Sequence, residues 1–286
     1  MSKVLNDLLD QLNLEKLEEN LFLGESQDLG YRNVFGGQLM GQALSAAKET
    51  VKDDQNVHSF HSYFIRAGKV EHAIVYDVER LRDGKSLSVR RIKAIQYGQV
   101  IFYMTASFKA KEIGFEHQDI MPPSPPPEDL ISELDIALIH TDIQPGSFRN
   151  KLFGEKPIEM RPVTFVNPVE PKIEPPKRLT WLKANGKVPN DFRINCYLLA
   201  YASDFNFLST ALQPHGVSFF TEGMMVVAVD HSMWFHHDFR MDDWLLYSIE
   251  STVASDGRGL VKGQFFTREG KLIASSMQEG LIRQRS

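Results

Sequence analysis

The feature that most constrains this chain is an apolar run at residues 195–212, NCYLLAYASDFNFLSTAL, which carries a single carboxylate, Asp204. The run is too short and too interrupted to span a bilayer. A segment that is apolar on almost every side belongs in a core, and the simplest prediction is a central helix wrapped by other elements. Because burying an unpaired carboxylate is costly, Asp204 is expected to have polar partners, a raised pKa, or a place facing the free amides of a helix start.

Composition sets the broad class of protein. The chain has 286 residues, which is long for one domain and comfortable for two. Its formal net charge of -5 gives no support for a nucleic-acid partner. The single cysteine, Cys196, excludes a disulfide within the chain and fits a reducing compartment. The opening stretch has the leucine spacing of an amphipathic helix rather than of a signal peptide, so we expect a cytoplasmic protein with no membrane partner.

Helical and alternating patterns fill the first and last thirds of the chain. In the first third we predict an opening helix, a short strand at 21–24 and a helix at 35–51 rich in small residues. Strand-like runs follow at 57–65, 73–82 and 86–108, the last of them broken by a turn at Tyr97-Gly98. Asp83-Gly84 is a strong hairpin signal. Residues 114–176 are dense in proline and charge, which predicts a linker that crosses the surface with one helix near residues 130–139.

The last third repeats the layout of the first third. His61 matches His231 and Asp83 matches Asp256, and the offset stays between 168 and 173 residues along the repeat. A slowly drifting offset indicates a duplicated α+β unit of one helix followed by an antiparallel meander, with the two sheets paired edge to edge. The predicted organisation is a first unit at 1–113, a linker at 114–176 and a second unit at 177–286.

Five segments carry a resemblance that covers essentially the whole chain in the same order. They are GGQLMGQALSAAKETV, VHSFHSYFIRAG, YASDFNFLSTALQPHG, DHSMWFH and MQEGLIR. They resemble the acyl-CoA thioesterase II (TesB-type) family. The resemblance implies a tandem (double) hot-dog fold, in which each unit is a long helix wrapped by an antiparallel β-sheet. It also implies hydrolysis of medium- to long-chain acyl-CoA to free fatty acid and CoA, no metal or other cofactor, and a homo-oligomer (dimer or higher).

Asp204 is the first candidate catalytic residue. The resemblance places the family's catalytic aspartate there, and thioester hydrolysis needs an aligned water, a group that takes its proton, and donors for the oxyanion. Burial among aromatic residues raises the pKa of a carboxyl and makes it a stronger base. The offset of 168 sets Asp204 opposite Gly36, so only the second unit has a carboxylate there. The structural alternative is that Ser203 or Asp204 caps a helix beginning at Phe205.

Gln278 and two glycines complete the expected site. The resemblance places the family's catalytic glutamine on Gln278, where its amide orients the water, and the alternative is a surface residue on an edge strand. Gly36 and Gly37 stand at the start of the first long helix. Their backbone N–H groups are candidate oxyanion donors, with tight packing as the alternative explanation.

One position departs from the family pattern. The family has Thr or Ser two residues before the aspartate of the DHSMWF segment, and this chain has Ala228 there. Ser232 lies four residues further on, roughly 13 Å away at the rise of a strand, so it is too far to replace the missing hydroxyl. We expect either another group that helps to hold the water, or weaker activity.

Histidines and basic residues are weaker candidates. Metal binding is disfavoured because the adjacent His236 and His237 point to opposite faces of a strand and no spaced Cys/His set is present, whereas His58 is the best candidate for a catalytic histidine. Basic residues near the two hairpins are candidates for the CoA phosphates, namely Arg82, Lys85, Arg90, Arg91, Arg258 and Lys262. Two other functions stay open: an enoyl-CoA hydratase or dehydratase, and an acyl-CoA-binding module without turnover.

Overall fold

The computed structural model describes residues 2–29, 33–139 and 154–285. The first unit opens with helix α1 (Lys3–Leu12), whose Leu5, Leu8 and Leu12 are buried, as their spacing predicts. Helix α2 (Gly36–Lys48) is buried along almost its whole length. The strands of this unit are β1 (Glu15–Glu18), β2 (Leu21–Gly24), β3 (Gln55–Phe64), β4 (Ile74–Asp83), β5 (Leu87–Gln96) and β6 (Gln99–Ala110).

The second unit repeats the order of a long helix followed by a meander. Its helix α4 (Phe192–Ala202) is capped at its N-terminus by Asp191, whose carboxylate accepts a hydrogen bond from the Arg193 N–H at 2.9 Å. The other elements are α3 (Glu133–Ile139), β7 (Ile158–Pro162), β8 (Lys177–Ala184), β9 (Met224–Ala228), β10 (Asp230–Phe235), β11 (Leu245–Ser255), β12 (Arg258–Thr267) and β13 (Leu272–Gln284). The duplicated unit is therefore confirmed.

The strands form one antiparallel sheet in which the two units meet edge to edge. The order is β1-β2-β4-β5-β6-β3-β10-β13-β12-β11-β8-β7, with β9 also paired to β13. The join lies between β3 and β10, where Ser62 is opposite His231. Within the described ranges, no helix is long and apolar enough to cross a membrane.

Helices α2 and α4 pack against each other on one face of the sheet. A Cβ atom at Gly41 would lie 3.2 Å from the carbonyl oxygen of Tyr197, and one at Gly37 would overlap the carbonyl oxygen of Tyr201. The small residues of α2 therefore allow close approach of other backbone. The backbone that approaches belongs to the helix of the other unit.

The apolar run at 195–212 is not one helix, and this prediction was wrong. Helix α4 ends at Ala202, Asp204 lies in the turn that follows, and the chain continues as a short 3₁₀ helix at Leu208–Ala211. Asn206 adopts a φ of 57°, which a right-handed helix does not accept. Short polar side chains favour such breaks because they form hydrogen bonds outside the helix.

The helices also do not follow the repeat offset of 168. Helix α2 begins at Gly36 and α4 begins at Phe192, which is closer in sequence than that offset allows. The extra residues lie between α4 and β10. Gly36 is therefore not the repeat equivalent of Asp204. The two residues nevertheless lie next to each other, because α2 begins beside the turn that follows α4.

The proline-dense segment at 114–176 contains more regular structure than its composition predicts. Helix α3 lies where one helix was expected, and β7 pairs with β8 and so belongs to the sheet of the second unit. The expected linker also includes residues 140–153, which lie outside the described residues. The unit boundaries given above stay predictions.

Candidate active site

Asp204 sits between the two units and accepts hydrogen bonds from both. Its Oδ2 accepts from the N–H of Gly37, in the first turn of α2, at 3.1 Å, and its Oδ1 accepts from Nε2 of Gln278 in β13 at 2.9 Å. Burial raises the pKa of the Asp204 carboxyl above its ordinary value, and these two hydrogen bonds offset part of the rise. The alternative was that Ser203 or Asp204 caps a helix beginning at Phe205. It is excluded, because the helix that follows begins at Leu208 and has no side-chain cap.

Gln278 faces inward from a central strand. Strand β13 lies between β10 and β12, and Gln278 is 1% exposed, so the alternative of a surface residue on an edge strand is wrong. The same Nε2 that donates to Asp204 also lies 3.2 Å from Nδ1 of His231. Both hydrogens of the Gln278 amide nitrogen are thereby used, which leaves Oε1 as the polar atom of this side chain that can accept from a ligand.

His231 fixes the orientation of that amide. It is fully buried, and burial lowers its pKa to about 3, so the ring is neutral at neutral pH. Because Nδ1 accepts from Gln278, the ring carries its proton on Nε2 and donates to Oγ of Ser203 at 3.0 Å. The Ser203 hydroxyl in turn donates to the carbonyl oxygen of Ala200 in α4 at 2.8 Å. A connected set of hydrogen bonds therefore runs from α4 to Asp204.

Gly36 and Gly37 differ in what their backbone does. The Gly37 N–H is occupied by Asp204, whereas the Gly36 N–H has no hydrogen-bond partner within the described part of the chain. A Cβ atom at Gly36 would lie 2.6 Å from Oδ2 of Asp204 and 2.9 Å from the ring of Phe64. Close packing therefore accounts for glycine at both positions, while the N–H at Gly36 is also available to a ligand.

A cavity of about 850 Å³ opens beside these residues. Asp204, Gln278, Gly36 and Ala228 all line it, so the position at which the family carries a hydroxyl does face the expected site. Ser232 does not, because its hydroxyl bonds to the exposed His61 at 3.0 Å. Apolar side chains also line the cavity, namely Phe205, Phe207, Leu208, Leu212 and Val226.

Much of the cavity wall comes from residues that sequence reasoning did not identify. Residues from the expected linker line it, including Glu133 of α3 and Met160 of β7. Asn206 connects that wall to the site, because its Nδ2 donates to Oε1 of Glu133 at 2.7 Å. The available signal was the SDFNFL segment itself, in which Asn206 follows Asp204 by two residues.

The weaker candidates lie elsewhere. His58 bonds to Ser107 and His236 to Ser275, and no histidine is among the described residues that line the cavity. No group of three metal-ligating side chains occurs within the described ranges. The basic residues considered for the CoA phosphates do not line the cavity either: Arg90 is buried against Thr50 and Asp83, and three others form ion pairs, Arg91 with Glu79, Arg258 with Glu279 and Lys262 with Glu250.

Comparison with known proteins identifies the family of this chain. A family model described as acyl-CoA thioesterase matches residues 147–281, and one described as acyl-CoA thioesterase N-terminal domain matches residues 26–109. Acyl-CoA thioesterase 2 of Haemophilus influenzae is 45% identical over 283 residues, which cover 99% of each chain. The chain belongs to the acyl-CoA thioesterase II (TesB-type) family.

Solved structures extend the match from sequence to fold. The acyl-CoA thioesterase II TesB2 of Mycobacterium marinum is 36% identical, with a TM-score of 0.78 over 98% of this chain and 99% of that one. A hot-dog protein of Alicyclobacillus acidocaldarius has a TM-score of 0.79 at 18% identity over 98% and 99% of the chains, and it supports the fold alone. The expected hot-dog fold is confirmed, and this TesB-type chain is a thioester hydrolase that acts on acyl-CoA.

Proposed function

We propose that this acyl-CoA thioesterase works by direct attack of a water molecule that Asp204 deprotonates and Gln278 positions. The observation that carries the proposal is the 2.9 Å contact between Gln278 Nε2 and Asp204 Oδ1 at the wall of a cavity. A buried carboxyl with a raised pKa is a stronger base than an exposed one. Cys196 supplies no nucleophile, because it is fully buried in α4.

The remaining oxygen of Gln278 defines the position of the water. Its Nε2 is committed to Asp204 and His231, so Oε1 accepts one O–H of the water while Asp204 takes the proton of the other. The water oxygen bonds to the thioester carbonyl carbon and a tetrahedral intermediate forms. The carbon–sulfur bond then breaks, the proton passes from Asp204 to the CoA thiolate, and the carboxylate is restored.

Gly36 is the proposed oxyanion donor. Its N–H is at the first residue of α2, has no partner among the residues described, and lines the cavity beside Asp204. An amide at a helix start favours negative charge. Gly37 is the weaker candidate because Asp204 already occupies its N–H.

Medium- to long-chain acyl groups are the proposed substrates. Its volume of about 850 Å³ lies in the upper part of the usual range for small-molecule sites. Phenylalanine and leucine side chains from the segment after Asp204 supply an apolar wall for methylene groups. This apolar wall supports an aliphatic acyl chain over a short, polar one.

One assay tests the function against its alternatives. The protein is incubated with palmitoyl-CoA and with crotonyl-CoA while free thiol and the enoyl absorbance are followed. Thiol release that Asp204→Asn abolishes supports hydrolysis by water. Loss of enoyl absorbance without thiol indicates a hydratase, and binding without either signal indicates the acyl-CoA-binding module that the missing hydroxyl at Ala228 allows.

Location and assembly complete the proposal. A cytoplasmic location is supported by the single buried cysteine, which leaves the fold independent of disulfides. A homo-oligomer is inferred from the family resemblance alone. Light scattering of the purified protein tests the second point, and a monomer at all concentrations contradicts it.

A further inference from the structure

A second polar site lies in the same cavity as Asp204, on a different element. Arg178 belongs to β8, where it is opposite Ile249 of β11, a residue that is only 2% exposed. Paired residues in an antiparallel ladder share a face of the sheet, so the Arg178 side chain is on the inner face with Ile249. It lines the cavity beside Leu212 and Gln213.

The guanidinium of Arg178 is held in place by Gln213. Nε of Arg178 donates to Oε1 of Gln213 at 3.2 Å. The Gln213 amide is fixed in turn, because its Nε2 donates to the carbonyl oxygens of Pro175 at 2.7 Å and Lys177 at 3.2 Å. Gln213 is 4% exposed, so this arrangement is buried and built rather than a chance surface contact.

The outer end of the guanidinium has no partner among the residues that the structure describes. Within those residues, its two terminal nitrogens make no hydrogen bond or ion pair. Burial lowers the pKa of Arg178 and the negative charge of Glu133 offsets part of that change, but the Glu133 carboxylate accepts its hydrogen bond from Asn206. Arginine carries five N–H donors and is normally paired when it is taken out of water. An oriented guanidinium with donors to spare on a cavity wall is typical of a site for an anion.

We propose that Arg178, oriented by Gln213, binds an anionic group of the substrate, a carboxylate or a phosphate, at a point away from the thioester. This rests on the proposed function only in that acyl-CoA occupies this cavity with its thioester at Asp204. Two parts of an acyl-CoA can carry the charge: the phosphates of CoA, or an acyl chain that ends in a carboxylate. Both present planar or forked oxygens that match the two terminal nitrogens.

Binding of three non-hydrolysable thioethers separates the two sources. The ligands are a methyl-terminated alkyl-CoA, the same alkyl-CoA with a terminal carboxylate, and the matching alkyl-pantetheine, which has no adenosine phosphates. Affinities are measured by calorimetry for the wild type, for Arg178→Met, and for Lys187→Met as a control outside the cavity. Lys187 is exposed and near Asp242, and its substitution is expected to leave all three affinities unchanged.

Loss of a charged hydrogen-bonding partner is expected to weaken binding about tenfold or more in Arg178→Met. If only the carboxylate-terminated ligand is weakened, the site reads the end of the acyl chain. If both CoA ligands are weakened equally and the pantetheine is not, the site reads a phosphate. No change for any ligand, or an equal change for all three, overturns the proposal.

A second variant guards against misfolding. Arg178→Lys keeps the charge and loses the fork, so the same ligand selectivity with a smaller loss is expected, while a purely structural role predicts no selectivity at all. Because the readout is binding, it is independent of whether Asp204→Asn abolishes turnover. Failure of hydrolysis and failure of this anion site are therefore seen in different experiments.

Discussion

The N–H of Gly37 donates to Oδ2 of Asp204 at 3.1 Å, and this contact joins a helix start in the first unit to a carboxylate in the second. The positive end of α2 thus stabilises the ionised form of a carboxyl that burial would otherwise keep protonated. Neither unit contains this arrangement alone. The fused pair of units has this site because α2 begins beside the turn that follows α4.

Replacing Asp204 by Asn removes the base and keeps the size of the side chain. General-base catalysis is worth about 10² to 10⁴ in rate, so kcat for palmitoyl-CoA is expected to fall by roughly that factor. Asp238→Asn is the matched control, because Asp238 is on the surface and pairs with Lys111. Thermal unfolding of both variants separates loss of the base from loss of the fold. Full activity in Asp204→Asn contradicts the mechanism.

The pH profile of kcat/KM follows the Asp204 carboxyl. Only the ionised form takes a proton from water, so activity is expected to fall as the pH drops through a pKa that lies above the ordinary value of 3.8. Gln278→Met removes a donor that stabilises the ionised form, which raises the pKa further. The acid limb is therefore expected to move to higher pH in this variant, and an unmoved limb shows that another group controls it.

His231 makes the fold sensitive to acid. Its pKa is about 3 in the folded state and 6.5 ordinarily, so the unfolded chain gains a proton first and stability falls as the pH drops from 6.5 towards 3. The full effect is about 5 kcal/mol. Between pH 7 and pH 5 the free energy of unfolding of the wild type is expected to fall by about 2 kcal/mol more than that of His231→Phe.

The same variant tests the role of His231 in positioning. Without the ring, the Gln278 amide loses the acceptor that fixes its orientation, so kcat is expected to fall about tenfold at constant KM. His61→Phe is the control, since His61 is exposed on the neighbouring strand β3. An equal loss of stability with falling pH in His231→Phe and in the wild type contradicts the assignment of the acid sensitivity to His231.

The sequence predicts those site residues that lie in short recognisable segments, and it does not predict those that meet only in the folded structure. Asp204 and Gln278 were found from two segments, and the structure places their side chains 2.9 Å apart. The turn at Asp204 was missed because a continuous apolar run does not reveal where a helix gives way to irregular backbone. The wall around Glu133 was missed because proline-dense segments have no period to read. Arg178 and Gln213 meet only through tertiary contacts, which no short motif records.

Glycine at position 36 is a steric requirement. A Cβ atom there would lie 2.6 Å from Oδ2 of Asp204, so Gly36→Ala must displace the carboxylate or the helix start. We expect a destabilisation of about 1 to 3 kcal/mol and a larger relative loss of kcat, because the base moves. Gly114→Ala is the control, since a Cβ atom at Gly114 would meet no described atom within 4 Å. Denaturant unfolding and steady-state kinetics measure the two effects, and wild-type values for both contradict the assignment.

Ala228 offers the most direct test of how the water is held. It lines the cavity with Asp204 and Gln278 and lies opposite Gly280 at the end of β9, where a hydroxyl has no bulky side chain across the strand pair. Ala228→Thr adds the group that the family pattern carries, so acyl-CoA hydrolysis is expected to rise or stay unchanged. Ala228→Val is the control, because it has the same shape without the hydroxyl. A gain in Thr that is absent in Val assigns it to a hydrogen bond with the water, whereas a large loss in Thr alone shows that the three positions do not share one water.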